Sequence, residues 1–141
     1  MKNKLNLFFA GVLLLLLSGC SGNIKVDGTV KYVDGSALTT GTVIFGNGKN
    51  QYQGDIKNDG TFRIEGIKTG SGIPKGKYNV WLANTTIVEY KMKKNSNGED
   101  VADKRIETVN VIQKFNSPET SGLSADVDAS HKNFDFIVER P

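Results

Sequence analysis

The chain has 141 residues, a formal net charge of +3 and a single cysteine. This length suits one compact domain with one hydrophobic core. A net charge this close to zero gives no electrostatic reason to expect nucleic-acid binding. The single cysteine excludes an intramolecular disulfide and a structural zinc site built from cysteine pairs. We therefore expect no cofactor, no metal and no nucleic-acid partner.

The first residues have the profile of a signal peptide. Lys2 and Lys4 precede an apolar run over residues 5–17 that only Asn6 interrupts. This run has about 13 residues, whereas a helix that crosses a membrane needs about 20. A cleaved targeting segment over residues 1–19 is therefore favoured over a permanent transmembrane anchor.

A short motif with one cysteine follows the apolar run. The sequence Leu-Ser-Gly-Cys, which ends at Cys20, resembles the lipobox of bacterial lipoproteins, in which the thiol takes a diacylglycerol before cleavage. The resemblance implies that Cys20 is lipidated, with palmitate-type acyl chains, and that residues 20–23 tether the domain to a membrane. Ser21 after the cysteine implies the outer membrane if the host has one. The alternative is an ordinary secreted protein whose Cys20 is incidental.

From residue 24 onward, apolar and polar side chains alternate in short runs separated by glycine turns, and no window keeps a helical apolar spacing. This pattern predicts an all-β domain. We predict seven strands, over residues 24–32, 43–45, 52–56, 62–64, 78–82, 123–127 and 134–138. Asn58-Asp59-Gly60 predicts a tight hairpin between the third and fourth strands. Seven strands with turns at this spacing indicate a β-sandwich.

Alternation also assigns side chains to the two faces of a strand. Phe134 and Phe136 share one face of the last strand, and we predict that both lie in the core. Trp81 alternates with the apolar side chains of the fifth strand, which predicts an exposed indole on the outer face of that sheet.

The stretch over residues 85–113 does not follow the strand pattern and is rich in Lys, Asn, Asp and Glu. We predict that Ile87, Val88 and Tyr90 extend the fifth strand, that residues 95–98 form an exposed loop tip, and that residues 109–112 return to the domain. A long insertion of this kind is usually functional or disordered, and the sequence does not choose between them.

The candidate binding residues are Trp81, Tyr90, Lys91 and Lys93. An exposed indole at Trp81 can stack on a sugar or on a partner protein, although single exposed aromatic side chains are common. Lys91 and Lys93, with Lys94, follow Tyr90 and can contact anionic lipid head groups, at about 1 kcal/mol for each lysine. The alternative is a solvated strand edge that the lysines protect from aggregation.

Several motifs together resemble a known family. Val-Asp-Gly-Thr-Val from residue 26, Gly-Thr-Val-Ile-Phe from residue 41, Asn-Asp-Gly-Thr-Phe from residue 58 and Pro-Lys-Gly-Lys-Tyr from residue 74 resemble the carboxypeptidase regulatory-like, transthyretin-like domains of envelope proteins. Lys-Phe-Asn-Ser-Pro-Glu-Thr-Ser-Gly-Leu over residues 114–123 resembles a signature of short bacterial lipoproteins built from one such domain. The resemblance implies a seven-stranded, Greek-key, prealbumin-like β-sandwich over residues 24–141, with an insertion at about 85–113.

The resemblance supports location and fold more firmly than activity, because a fold does not confer chemistry. Some transthyretin-like proteins hydrolyse a urate derivative with several histidines, whereas His131 is the one histidine of this chain. We read residues 117–122 as a structural loop in preference to a ligand site. We therefore expect an envelope lipoprotein that is not an enzyme and acts as a structural or interaction module, with an envelope protein as partner. The alternative is a carbohydrate-binding accessory domain at the cell surface, with a glycan as ligand.

Overall fold

The structure is a computed structural model that describes residues 22–141. The predicted signal peptide and the predicted lipidation site at Cys20 lie outside these residues. The described part of the chain forms nine β-strands and one short 3-10 helix. The strands are β1 Val26–Tyr32, β2 Thr42–Gly46, β3 Gln51–Asp55, β4 Thr61–Ile64, β5 Gly76–Ala83, β6 Thr86–Lys94, β7 Asp100–Val109, β8 Leu123–Val127 and β9 Asn133–Val138, and the 3-10 helix is Gln113–Asn116.

Seven of the strands form a two-layer β-sandwich. β4, β1 and β9 make a three-stranded sheet in that order, and β3, β2, β5 and β8 make a four-stranded sheet. β1 and β9 are parallel, whereas the other neighbours within these two sheets are antiparallel. Each of the seven strands corresponds to one that the sequence predicts, and the all-β fold class is confirmed. The described residues contain no helix that is long and apolar enough to cross a membrane.

The predicted turn at residues 58–60 forms, and the strands that it joins are paired only in part. β3 pairs with β2 in one sheet and β4 pairs with β1 in the other. Across the turn, the backbone N–H of Lys57 donates to the carbonyl of Thr61 at 2.8 Å, and an isolated antiparallel bridge joins Gln53 to Glu65. Asp59 stabilises the turn because its Oδ1 accepts a hydrogen bond from the backbone N–H of Thr61 at 2.9 Å, and Gly60 supplies a φ of +82°. The sequence identifies the turn correctly, whereas the pairing of the strands depends on the packing of the two sheets.

The core lies between the sheets and surrounds Phe45, which is fully buried. Four other aromatic rings lie with centroids 5.9 to 6.3 Å from that of Phe45, namely Phe62, Tyr78, Phe134 and Phe136. The predicted core position is confirmed for Phe136, whereas Phe134 is half-buried at the margin of the same cluster. Aromatic rings from both sheets therefore contribute to the apolar contact that holds the layers together.

The sandwich has two ends, and β1 runs from one to the other. Where β1 begins, Ile24 exchanges backbone hydrogen bonds of 2.7 and 2.8 Å with Ile73; we call this the tether end, because residues 20–23 precede it. Where β1 finishes, the hydroxyl of Tyr32 donates a hydrogen bond to the carbonyl of Asn110 at 3.0 Å; we call this the arm end. The seven residues of β1 separate the two ends by about 23 Å.

β5 also runs toward the arm end, where Asn84 redirects the chain. Asn84 has a φ of +54°, a left-handed conformation that Asn tolerates better than most residues, and it ends β5 at Ala83. Its side-chain N–H donates a hydrogen bond to Oγ1 of Thr42 at 3.3 Å. β6 is therefore a new strand that leaves the sandwich at this bend, and not a straight extension of β5.

Candidate interaction site

β6 and β7 form a two-stranded hairpin that we call the arm, residues 86–109. The two strands pair with each other in a sheet of their own. All nine residues of β6 and eight of the ten residues of β7 are exposed, so neither face of the arm packs on the sandwich. The predicted loop tip lies at the turn of this hairpin, where Oδ1 of Asn95 accepts hydrogen bonds from the backbone N–H groups of Asn97 and Glu99. The return to the domain begins earlier than the sequence predicts, at Asp100.

The base of the arm is fixed to the sandwich by a set of hydrogen bonds. The backbone N–H and the side-chain N–H of Asn110 donate to the carbonyl of Thr85, at 3.2 and 2.8 Å. The hydroxyl of Tyr32 donates to the carbonyl of the same Asn110. Thr85 and Val111, which flank this clamp, are buried at 2% and 0% exposure. A buried base that supports an exposed hairpin holds the arm on the sandwich at a defined place.

One face of the arm, which we call the Tyr90 face, carries a row of apolar side chains on β6. Alternation along β6 places Val88, Tyr90 and Met92 on this face, and the cross-strand register sets them opposite Glu107, Arg105 and Ala102 of β7. Val88, Tyr90 and Met92 are 40%, 57% and 56% exposed. Neighbouring exposed apolar side chains on one strand make this face a candidate interaction surface.

The other face of the arm, which we call the Lys91 face, carries Glu89, Lys91 and Lys93 of β6, and the charges of these side chains are incompletely compensated. Lys93 makes an ion pair of 2.6 Å with Asp103, whereas Lys91 stands directly opposite Lys104 in the register of the hairpin. Like charges directly opposite each other in an antiparallel pair are destabilising. Glu89 is the acidic residue of β6, and it stands opposite Ile106. No carboxylate therefore stands directly opposite Lys91 within its own hairpin.

The two edges of the arm differ. The register shifts between Lys91 and Met92, which face Lys104 and Ala102, so Asp103 is an extra residue on β7 and forms a β-bulge. A bulge bends and twists its strand and blocks the addition of another strand at that edge. β6 carries no bulge over its nine residues and presents a regular free edge.

The structure corrects the predicted exposure of Trp81. Alternation does place the indole on the outer face of its sheet, away from the core residues of β5, but the side chain is only 9% exposed. The ring lies against Gly46, where an added Cβ would approach two indole atoms to 2.7 Å. Pro118 and Glu119 from a neighbouring loop line the same cleft, which has a volume of about 240 Å³. The missing side chain at Gly46 is the one sequence signal that could have indicated a covered indole.

The loop over residues 117–122 is held by its own hydrogen bonds. The hydroxyl of Ser121 is buried and donates to the carbonyl of Val80 at 2.5 Å, and it accepts the backbone N–H of Leu123 at 3.2 Å. The hydroxyl of Thr120 donates to the carbonyl of Lys114 at 2.6 Å. These contacts attach the loop to β5 and to the 3-10 helix, which supports its structural interpretation.

His131 lies in the turn between β8 and β9 and shares Asp128 with its neighbours. Its Nδ1 is 3.0 Å from Oδ2 of Asp128 and 3.3 Å from the hydroxyl of Ser130. The bond to Asp128 raises the pKa of His131, and hydrogen bonds from Ser130 and His131 lower the pKa of Asp128. Because Asp128 and Ser130 approach the same ring nitrogen, the ring cannot relay a proton from the hydroxyl to the carboxylate, as a catalytic triad requires. Across residues 22–141, no group of three or more His, Cys, Asp or Glu side chains is arranged to hold a metal ion.

No protein-family model and no curated protein matches the chain. Among solved structures, the chain is similar to BcpA, the major pilin subunit of Bacillus cereus, at a TM-score of 0.40 and 8% identity, over 83% of this chain and 29% of that one. It is similar to a 9R-lipoxygenase from Cyanothece PCC8801 at a TM-score of 0.33 and 11% identity, over 82% of this chain and 16% of that one. The chain therefore spans less than a third of the length of either protein, and similarity at this level carries no functional argument.

Proposed function

We propose that this chain is a membrane-anchored envelope lipoprotein that acts as a non-catalytic interaction module and presents its arm at the end of the sandwich opposite the anchor. The observation that carries the proposal is the placement of the two termini of β1. The predicted tether precedes Ile24 at one end, and the clamp formed by Tyr32 and Asn110 holds the arm at the other.

The lipid anchor is a prediction from the sequence motif at Cys20. Gly22 and Asn23, between Cys20 and the first strand contact, are exposed, and so short a tether keeps the tether end close to the lipid surface. The base of the arm then stands about 23 Å further out, the length of β1. This placement disfavours contact between Lys91 or Lys93 and the lipids of the same membrane. It favours a partner protein beyond the sandwich.

Depth-dependent quenching tests the proposed orientation. The lipidated full chain is placed in vesicles that contain a lipid-borne quencher, with a fluorophore on Asn23→Cys or, in a matched variant, on Asn97→Cys at the turn of the arm. We expect strong quenching at position 23 and little at position 97, because quenching of this kind needs close approach to the bilayer. Equal quenching at both positions would contradict the proposal. Cys20→Ser should release the chain from membranes and leave the sandwich folded, and membrane retention of that variant would exclude the anchor.

A carbohydrate-binding function is the second candidate, and the cleft beside Trp81 is the observation that favours it. Polar groups of Gln51, Asn79 and Glu119 surround the indole there, in a volume that suits about one sugar ring. The low exposure of Trp81 limits the ring area that a sugar could stack on. A glycan array with the wild type and Trp81→Ala tests this function, with Tyr90→Ala on the arm as the matched control. Absence of glycan binding by the wild type, or equal binding by Trp81→Ala, would exclude it.

A further inference from the structure

We propose that the partner of the arm is the arm of a second copy of this chain, and that the two copies join edge to edge through antiparallel pairing of β6 with β6. The proposal rests on the interaction role of the arm given above and names its partner. The result would be a four-stranded sheet with one β7 strand at each edge and the two β6 strands at its centre.

The free edge of β6 is suited to strand addition. A two-stranded hairpin with both faces in water is marginally stable, and an unpaired strand edge is a template for another strand. The bulge at Asp103 protects the β7 edge, whereas β6 is regular over its whole length. Pairing at β6 therefore uses the edge of the arm that carries no bulge.

The sequence of β6 is complementary to itself in one antiparallel register. If a two-fold axis passes through Tyr90, Glu89 of each copy stands opposite Lys91 of the other, on the Lys91 face. On the Tyr90 face, Val88 of each copy stands opposite Met92 of the other, and the two Tyr90 side chains meet at the axis. Opposite charges and apolar pairs at directly opposed positions are the favourable cross-strand combinations.

Neighbouring registers are worse. An axis through Glu89 places the two Glu89 carboxylates directly opposite each other, and an axis through Lys91 does the same with two ammonium groups. In both of these registers, each side chain of β6 still lies on the same face of the sheet as before. Both registers, however, place like charges opposite each other at the centre of the β6–β6 pair. The register through Tyr90 avoids both repulsions, so the charges of β6 select it.

The same register removes a defect of the single arm. Lys91 stands opposite Lys104 within its own hairpin, and Glu89 stands opposite Ile106. In the paired arms, each Lys91 lies between Lys104 of its own copy and Glu89 of the other. In the single arm, the residue directly opposite Lys91 has the same charge. In the paired arms, Lys91 also has a carboxylate directly opposite it.

Charge exchange gives the sharpest test. Glu89→Lys and Lys91→Glu are made separately in the lipidated full chain, and self-association is measured in detergent micelles by sedimentation equilibrium. Each variant alone should associate at least about tenfold more weakly than the wild type, because two cross-strand pairs change from opposite to like charges. An equal mixture of the two variants should recover the association, because the lysines at positions 89 and 91 of one variant then face glutamates at positions 91 and 89 of the other. Ser96→Lys, an exposed change at the turn of the arm, is the control and should associate like the wild type.

Cysteine cross-linking tests the position of the axis. Two Tyr90→Cys chains place their Cβ atoms about 5 Å apart and should form a disulfide-linked dimer under mild oxidation. Two Met92→Cys chains place theirs about 13 Å apart in this register and should not. The lipidated wild-type chain, whose Cys20 sulfur carries the diacylglycerol and is no longer a free thiol, is the control and should form no disulfide.

A monomeric wild type would overturn the inference, as would single charge variants that associate like the wild type, or a mixture that stays monomeric. Equal cross-linking of Tyr90→Cys and Met92→Cys would overturn the register. These failures are distinct from failure of the proposed function, because a monomeric chain whose position 97 still escapes the lipid-borne quencher remains an interaction module with a different partner.

Discussion

Removal of the arm should leave the sandwich almost as stable as before. The change replaces residues 86–109 by a short Gly-Ser turn between Thr85 and Asn110, whose backbones are already joined by a hydrogen bond of 3.2 Å. No residue of β6 or β7 is buried, so no core contact is lost. Shortening a connection from about 24 residues to about 4 reduces the entropic cost of closure by at most about 1.6 kcal/mol. We therefore expect the free energy of unfolding to stay within about 2 kcal/mol of that of the wild type. An increase is expected over a decrease, because the shorter connection lowers the entropic cost of closure and no core contact is lost.

Urea unfolding monitored by tryptophan fluorescence measures this effect. Trp81 is the single tryptophan and lies in the sandwich, so the same probe reports on both proteins. Phe45→Ala is the matched destabilised control, because removing a fully buried ring costs about 4 kcal/mol. If deletion of the arm costs as much as Phe45→Ala, the arm packs on the sandwich, and the reasoning about an exposed interaction element is refuted. Sedimentation of the same deletion variant should show a monomer if the arms pair.

Three further predictions concern the sandwich and its ends. Gly46→Val should displace the indole of Trp81, shift its fluorescence emission to longer wavelength and cost about 1 to 3 kcal/mol, and an unchanged spectrum would contradict the close contact. Tyr32→Phe removes the hydrogen bond to Asn110 and should lower the free energy of unfolding by about 1 kcal/mol in urea titrations, whereas no change would mean that the clamp is not formed in solution. Hydrogen bonds from Ser36, then the guanidinium of Arg140, lower the pKa of Asp34 from 3.8 to about 2. Asp34 therefore adds stability above pH 3.8 that is lost as the pH falls through about 2, so the stability difference between wild type and Asp34→Asn should shrink over that range in acid titrations.

Most strands and turns of the sandwich can be predicted from local sequence patterns. Alternation identifies all seven sandwich strands, because core-facing residues recur at every second position along them. The turn at Asp59 and Gly60 can be predicted as well, because these two residue types favour its backbone conformation. The extent of strand pairing across that turn cannot be predicted from the local sequence. β3 and β4 belong to different sheets, and which sheet a strand joins depends on contacts between residues far apart in sequence.

The candidate sites show the same division. The sequence indicates Tyr90, Lys91 and Lys93 as unusual, but it gives no information on which residues stand across from them. The ion pair of Lys93 with Asp103, and the position of Lys91 opposite Lys104, follow from the register of the hairpin, which a bulge shifts by one residue. For Trp81, alternation gives the correct face but not the cover that the neighbouring loop provides.

The sequence by itself determined that this is a small all-β chain, with a predicted lipid anchor at Cys20 and an insertion whose side chains do not suit a core. These properties depend on composition and on spacing along the chain, which are local quantities. Only the tertiary structure decided that the insertion is an exposed hairpin, that its base is held by Tyr32 and Asn110, and that it leaves the sandwich at the end opposite the tether. Those facts depend on the direction and pairing of strands far apart in sequence, because burial of one shared core, and not local propensity, fixes where each strand begins and ends.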